Sequence, residues 1–318
     1  MRNVLRHARG VAHRLQVGLF PPAYLPIDAS GQAADDLISS GLEKGLPFMA
    51  ARLGRIELRA VLRWWDRQTG GKNRLVDALE RLQGKRGPTD WGASIRFSME
   101  NNAGFFPAEP EYLNRFAERM VNDLRELDIL GSCQSEEVRV RSFFPNATIV
   151  PLRDLEPYYH PEPWTRVLEG KTVLVIHPFE SSIRKQYGRR DALFANPQVL
   201  PAFELRTIKA VQSMGGSHPD YPDWFAALEA MQQKIAAVQF DVAIIGAGAY
   251  GFPLAAFVKR LGHQAIHLGG ATQILFGIRG RRWDSRPFFA ALMNEAWVRP
   301  LPEEMPENYL AVEDGCYW

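Results

Sequence analysis

An α/β fold of Rossmann-like type, a mostly parallel sheet with helices on both faces, is predicted by three features of this 318-residue sequence. From about residue 127 short apolar runs alternate with amphipathic stretches, which is the pattern of βαβ units. Two of the runs, Thr172-Val-Leu-Val-Ile-His177 and Asp241-Val-Ala-Ile-Ile-Gly246, are continuously apolar inside, as strands covered on both faces must be, and both are expected to be central. A glycine-rich turn, Gly246-x-Gly248-x-x-Gly251, follows the second run and opens a helix.

In chain order, the first twenty residues read as a basic amphipathic helix. Val4, Leu5, Ala8, Val11, Ala12 and Leu15 recur at helical spacing among Arg2, Arg6, Arg9 and Arg14. Such a helix can dock on its own body, or make peripheral contact with a membrane at its cytoplasmic face through residues 1–20. The prolines between Phe20 and Pro26 stop it. Residues 1–45 are therefore this helix and a Pro-rich linker, and residues 46–318 are the body, as one domain or as two lobes divided near 127–165. Pro47 to Leu53 reads as a strand, Gly54 as a tight turn, and Ile56 to Trp65 as a helix. Helices are also expected at Lys72 to Leu82 and Pro110 to Leu127, with a Gly-, Ser- and Asn-rich loop from Trp91 to Pro107 between them. The remaining strands are Ile129 to Cys133, Ala147 to Leu152, Glu204 to Ile208 and Gln264 to Leu268. A helix from Trp224 to Val238 precedes the glycine turn, and Leu254 to Leu261 continues the helix after it. The aromatic stretch Gly315-Cys-Tyr-Trp318 is expected to pack against the body.

Composition excludes several classes. With 38 basic and 36 acidic residues there is no chain-wide positive field to hold nucleic acid. Two cysteines, Cys133 and Cys316, lie far apart without His or Cys at ligand spacing, against a disulfide framework or a structural zinc site. No apolar run approaches the ~20 residues of a membrane span, and the first residues lack a signal-peptide core, so a cytoplasmic location is expected.

The glycine turn is the most specific chemical signal. Free N–H groups at the helix start and close backbone approach suit an anion, so Gly246, Gly248, Tyr250 and Gly251 are candidates for phosphate contact. A plain packing role for the glycines is the alternative. A nicotinamide enzyme fits poorly, because no acidic residue follows about 20 positions later. There the chain reads His267-Leu-Gly269-Gly270.

Four other groups stand at strand ends or in loops. His177-Pro-Phe-Glu180 precedes Ser181 and Ser182, placed to cap a helix bearing Arg184, Lys185, Arg189 and Arg190; together they can wall a phosphate site, or His177 is a hydrogen-bonded core residue and the cations a solvated face. Arg52-Leu-Gly54-Arg-Ile-Glu57 puts a cation at a strand end and a carboxylate in the next helical turn, either as a capping device or as phosphate contact and base. Glu100, Asn101 and Asn102 suit a polyhydroxylated ligand, or an ordinary turn. The stretch from Gly269 to Asp284 adds glycines, arginines and Trp283 after the last strand.

Two segments together resemble the GT-D fold glycosyltransferases. They are Arg52-x-Gly54-x-x-Glu57, and Phe240 to Gly246 continuing through Leu254, Lys259, Gly262 and Ala265-Ile-His-Leu-Gly269. The resemblance implies a GT-D-like domain that transfers a sugar from a nucleotide-activated donor to a bacterial surface glycan or lipid-linked glycan. The family's first segment carries an Asp-x-Glu pair for a divalent cation. Arg55 stands where that Asp belongs, so the resemblance implies either a metal-independent variant or Mn²⁺ or Mg²⁺ held differently. It covers roughly residues 46–67 and 238–284 and casts Glu57 as a catalytic candidate; His177 and Glu180 join it from their place after a buried strand. Arg52, Gly54, Arg184, Lys185, Gly246, Gly248, Tyr250, Gly251, Gly269 and Gly270 fall to the donor, and Glu100, Asn101 and Asn102 to the acceptor. A non-catalytic sugar- or nucleotide-binding protein, a phosphoribosyl-type transferase and an NAD-linked oxidoreductase are the competing expectations.

Overall fold

The computed structural model describes residues 23–69, 91–215 and 220–318. The N-terminal amphipathic helix and the helix expected at Lys72 to Leu82 lie outside these residues. The seven strands are β1 (Phe48–Arg52), β2 (Ile129–Ser132), β3 (Thr148–Pro151), β4 (Thr172–His177), β5 (Glu204–Lys209), β6 (Val242–Ile245) and β7 (Gln264–His267). All pair in parallel in one sheet of order β3-β2-β1-β7-β6-β4-β5, which confirms the Rossmann-like expectation. Strands from both sides of residues 127–165 enter this one sheet.

Alternation of side chains explains why both faces are covered. In β4, Leu174 and Ile176 join one apolar cluster while Val173 and Val175 join the other. In β6, Ala243 and Ile245 face the first cluster and Val242 and Ile244 the second. A helix is needed on each side to bury such strands. The expectation that β4 and β6 lie inside the sheet holds, although the middle position belongs to β7.

The helices in chain order are α1 (Gln32–Glu43), α2 (Arg55–Gln68), α3 (Ala93–Asn101), α4 (Pro110–Leu124), α5 (Glu180–Tyr187), α6 (Trp224–Ala236), α7 (Gly251–Arg260), α8 (Ala271–Leu275), α9 (Arg281–Asp284) and α10 (Pro287–Leu292). Leu113, Phe116, Ala117, Met120, Val121 and Leu124 form the buried stripe of α4, whose first residue is a proline that needs no N–H partner there. Two elements depart from expectation. The segment before residue 46 contains α1, which buries Ala34, Ile38 and Leu42, and the expected loop at Trp91 to Pro107 contains α3. Only Met99 of α3 is buried, so the segment carries no apolar period to read.

Trp224 ties α6 to the glycine turn. Its indole lies 5.0 Å from the Tyr250 ring at an interplanar angle of 8°, and within 5.3 Å of Phe105 and Phe116. Truncating such a side chain leaves a cavity, so Trp224→Ala is expected to cost about 3–5 kcal/mol in urea unfolding. A change below about 1 kcal/mol would deny the ring stack that role.

Asp35 on α1 is fully buried, and one of its oxygens lacks a hydrogen-bond partner. Burial raises its pKa from 3.8 to about 7, against the opposing pull of Arg166 at 3.3 Å. The folded chain therefore holds this proton more tightly than the unfolded chain does. Its contribution to stability is whole below the unfolded value and is lost as pH rises through the folded one. Between pH 4 and 7 this group should remove up to about 1.4 kcal/mol of stability per pH unit. Denaturant titrations should show that slope vanish in Asp35→Asn; an unchanged slope would place its cause elsewhere.

Candidate functional site

All seven strands point their carboxyl ends at one edge of the sheet, and a cavity of about 540 Å³ opens there. Each strand contributes to it. Arg52 ends β1, and Gly54 and Glu57 follow it; Cys133 and Gln134 follow β2; Leu152 and Glu156 follow β3. His177 ends β4, Gln212 and Met214 follow β5, Gly246 and Gly248 follow β6, and Gly269 and Gly270 follow β7. The first and last strands, β1 and β7, lie side by side where the two halves of the sheet meet. Ligands of open α/β sheets settle at such a place.

Arg52 occupies the junction. Its guanidinium donates to the Leu53 carbonyl at 3.3 Å and enters no ion pair among the described residues. The Cβ that Gly269 lacks would lie 3.3 Å from the Arg52 side chain. Glu57 sits in the first turn of α2, and a Cβ on Gly54 would lie 2.0 Å from its carboxylate, so glycine lets this side chain fold back over the helix start. Burial raises the Glu57 pKa; the backbone N–H groups of Glu57 and Ile56, together with Arg52, pull the other way.

The two histidines are neutral, with opposite tautomers. The Phe179 N–H donates to His177 Nδ1 at 3.0 Å, leaving Nε2–H as the donor, and burial pushes its pKa down to about 3. His267 Nδ1 donates to the Ile245 carbonyl at 3.1 Å, leaving Nε2 as an acceptor; burial and then Arg52 push its pKa down to about 3. A histidine so hard to protonate is a poor proton carrier at neutral pH. Among the roles expected of His177, that of hydrogen-bond donor is the one its surroundings support.

The glycine turn divides its labour. Gly248, at φ +52°, is exposed on the cavity wall in a conformation that disfavours side chains. Gly246 also lines the cavity, whereas Gly251 faces inward, where a Cβ would come within 2.2 Å of the His267 ring. Tyr250, expected at the ligand, is buried instead: its hydroxyl lies 3.0 Å from Ser213 Oγ and its ring stacks on Trp224.

Several other expected residues do not line the cavity. Glu180 accepts hydrogen bonds from Thr207 Oγ1 at 2.6 Å and Arg184 at 2.8 Å, beside the edge strand β5. Arg184 and Lys185 are exposed on α5, away from the cavity lining. Ser182 does not cap α5. Its backbone N–H donates to Glu304 at 3.0 Å and its hydroxyl also bonds that carboxylate. Of Glu100, Asn101 and Asn102, only Asn102 reaches the cavity; the Asn101 amide donates to the Phe97 carbonyl within α3.

The cavity also gathers residues that pattern reading did not single out. Glu156, Arg286 and Glu313 join the lining with Arg282, which lay in the basic stretch after the last strand. Arg282 pairs with Glu313 and lies 4.6 Å from the Tyr317 ring centroid, so the segment 313–318 closes one wall. Glu156 stands beyond the end of β3, after a 3₁₀ turn, and no motif in the sequence marks it.

The site does not suit the divalent cation that the resemblance implies. Arg55 brings positive charge to the position of the missing carboxylate, and Glu57 is turned onto the helix start. Among the described residues, no three His, Cys, Asp or Glu side chains gather to hold a metal ion.

Comparison with protein families, curated proteins and solved structures finds no match for this chain. The local packing is testable by itself. Gly251→Ala is expected to lose about 1–3 kcal/mol in urea unfolding, because the new methyl meets the His267 ring. A variant as stable as the parent would mean that the ring is not seated there.

Proposed function

We propose that this chain is a glycosyltransferase that binds a nucleotide-activated sugar at the junction of β1 and β7 and passes the sugar to a glycan or lipid-linked glycan acceptor. The observation carrying this reading is the Arg52 guanidinium, in no ion pair among the described residues, which lies against Gly269 in a cavity that Glu57 and Gly248 also line and that every strand end feeds. A diphosphate needs such a cation together with open backbone approach. Arg55 and Arg286 also line the cavity and enter no ion pairs among the described residues, so positive charge remains available. Chemistry of this type depends on stabilising the leaving diphosphate. Arg52 does so in this reading, His177 Nε2–H donates to an oxygen of the donor, and Glu57 accepts hydrogen bonds from its sugar hydroxyls. No helix among the described residues is long and apolar enough to cross a membrane. Action in the cytoplasm, at the inner membrane face where a lipid-linked acceptor would be met, is part of the same proposal.

A thermal-shift panel tests the donor class. It would hold nucleoside diphosphates and their sugars, NAD and phosphoribosyl pyrophosphate, each with and without Mn²⁺. A ligand at 100 times its Kd adds about 2.7 kcal/mol to stability. One nucleoside diphosphate family should raise the melting temperature without Mn²⁺, and Arg52→Ala should weaken that ligand roughly 10- to 100-fold, the worth of a charge-assisted hydrogen bond. Stabilisation by NAD or phosphoribosyl pyrophosphate alone would replace the reading with another enzyme class. Binding without turnover of any sugar donor would make the chain a binding protein.

A further inference from the structure

The segment after β3 builds a second surface at the cavity rim. Two short 3₁₀ turns, Leu152–Leu155 and Pro157–Tyr159, flank Glu156. Glu156 lines the cavity together with Leu152 and Arg286. The buried Tyr158 donates its hydroxyl to the Glu156 carboxylate, which fixes the carboxylate while leaving acceptor sites free. Burial raises the proton affinity of this group, opposed by the Tyr158 hydrogen bond and by Arg52.

Outside Glu156 lies an aromatic stack. The Tyr159 and Phe288 rings sit 4.1 Å apart at 23°, and Phe288 on α10 is 41% exposed. Phe289 packs edge-on beneath Phe288 at 5.2 Å and Tyr158 edge-on at 5.9 Å from Phe289, so the stack rests on a buried base. Arg153 lies 4.8 Å over the Tyr159 ring. Arg153 and Arg286 are both exposed and enter no ion pair among the described residues. An exposed apolar ring and two guanidinium donors therefore stand near a carboxylate acceptor, and of this group Glu156 and Arg286 line the cavity.

That combination fits one class of ligand. A pyranose presents an apolar C–H face that can lie on an aromatic ring and a rim of hydroxyls that need donors and acceptors. We propose that Phe288, Tyr159 and Glu156 form a saccharide acceptor subsite in which Glu156 takes the proton of the attacking hydroxyl. The assignment rests on the glycosyl-transfer reading. It also moves the acceptor from Glu100 and Asn101 to a group whose carboxylate, Glu156, lines the cavity. In the step itself, the hydroxyl oxygen bonds to the anomeric carbon and its proton passes to Glu156. The bond from that carbon to the diphosphate oxygen breaks, and the electron pair leaves with the diphosphate at Arg52.

Saturation-transfer NMR with octyl glucoside, galactoside, mannoside and N-acetylglucosaminide tests the subsite, in the parent chain and in Phe288→Ala, Phe288→Trp and Glu156→Gln. At least one glycoside should receive saturation from the protein. Phe288→Ala should weaken it about 10-fold and Phe288→Trp should restore it. Glu156→Gln should keep glycoside binding and the melting shift from nucleoside diphosphate, yet lose transfer by about 100-fold or more, as removal of a general base does. No glycoside signal in the parent, or a signal untouched by Phe288→Ala, overturns the subsite. Full transfer by Glu156→Gln overturns the proton-accepting role. Absence of any nucleoside diphosphate shift in the parent counts against the donor reading, and the glycoside signal separates that failure from this one.

Discussion

Parallel pairing of β1 with both β2 and β7 is the constraint on which the rest depends. It joins the first strand to the last and turns every strand in the same direction, so residues separated by more than 250 positions end at one edge. Arg52 meets Gly269, and Glu57 shares a cavity with Glu313, only because of that register. Helices on both faces follow from the same arrangement, since a parallel sheet needs crossover segments and its strands must be buried on each side.

One cation acts on many groups at that edge. Arg52 influences Glu57, Glu156, Cys133, His267 and Tyr317, lowering the proton affinity of each. Burial works against it at the acids and with it at His267. Burial therefore favours the protonated form of Glu57 and Glu156 and the neutral form of both histidines, while Arg52 favours the two carboxylates. Groups already fixed in place around a cavity strengthen contact with a ligand anion, because little reorganisation is needed when it binds.

Much of the fold was legible, for physical reasons. β4 matches its expected bounds because a doubly buried strand is apolar throughout, and the glycine turn was found because strand, glycines and helix stand together in sequence. α3 was missed because a helix that buries only Met99 has no stripe. α1 was missed because the prolines before it drew the reading towards a linker. Within the site, Arg52, Gly54, Glu57, His177, Gly246, Gly248, Gly269, Gly270 and Asn102 were visible as strand-end or loop residues. Arg184 and Lys185 misled because helical neighbours of a site can face away from it, as the bond between Arg184 and Glu180 illustrates. Glu156 and the 313–318 wall escaped because only tertiary folding carries them to the cavity.

The most direct test of a ligand site at the β1 and β7 junction is an amide spectrum of the chain labelled with ¹⁵N-glycine, recorded while a nucleoside diphosphate is added. Gly54, Gly246, Gly248, Gly269 and Gly270 are expected to shift together with one binding constant, while glycines remote from the cavity, such as Gly170 and Gly45, stay in place. Shifts confined to glycines away from the strand ends, or none with any nucleoside diphosphate at saturating concentration, would contradict the account.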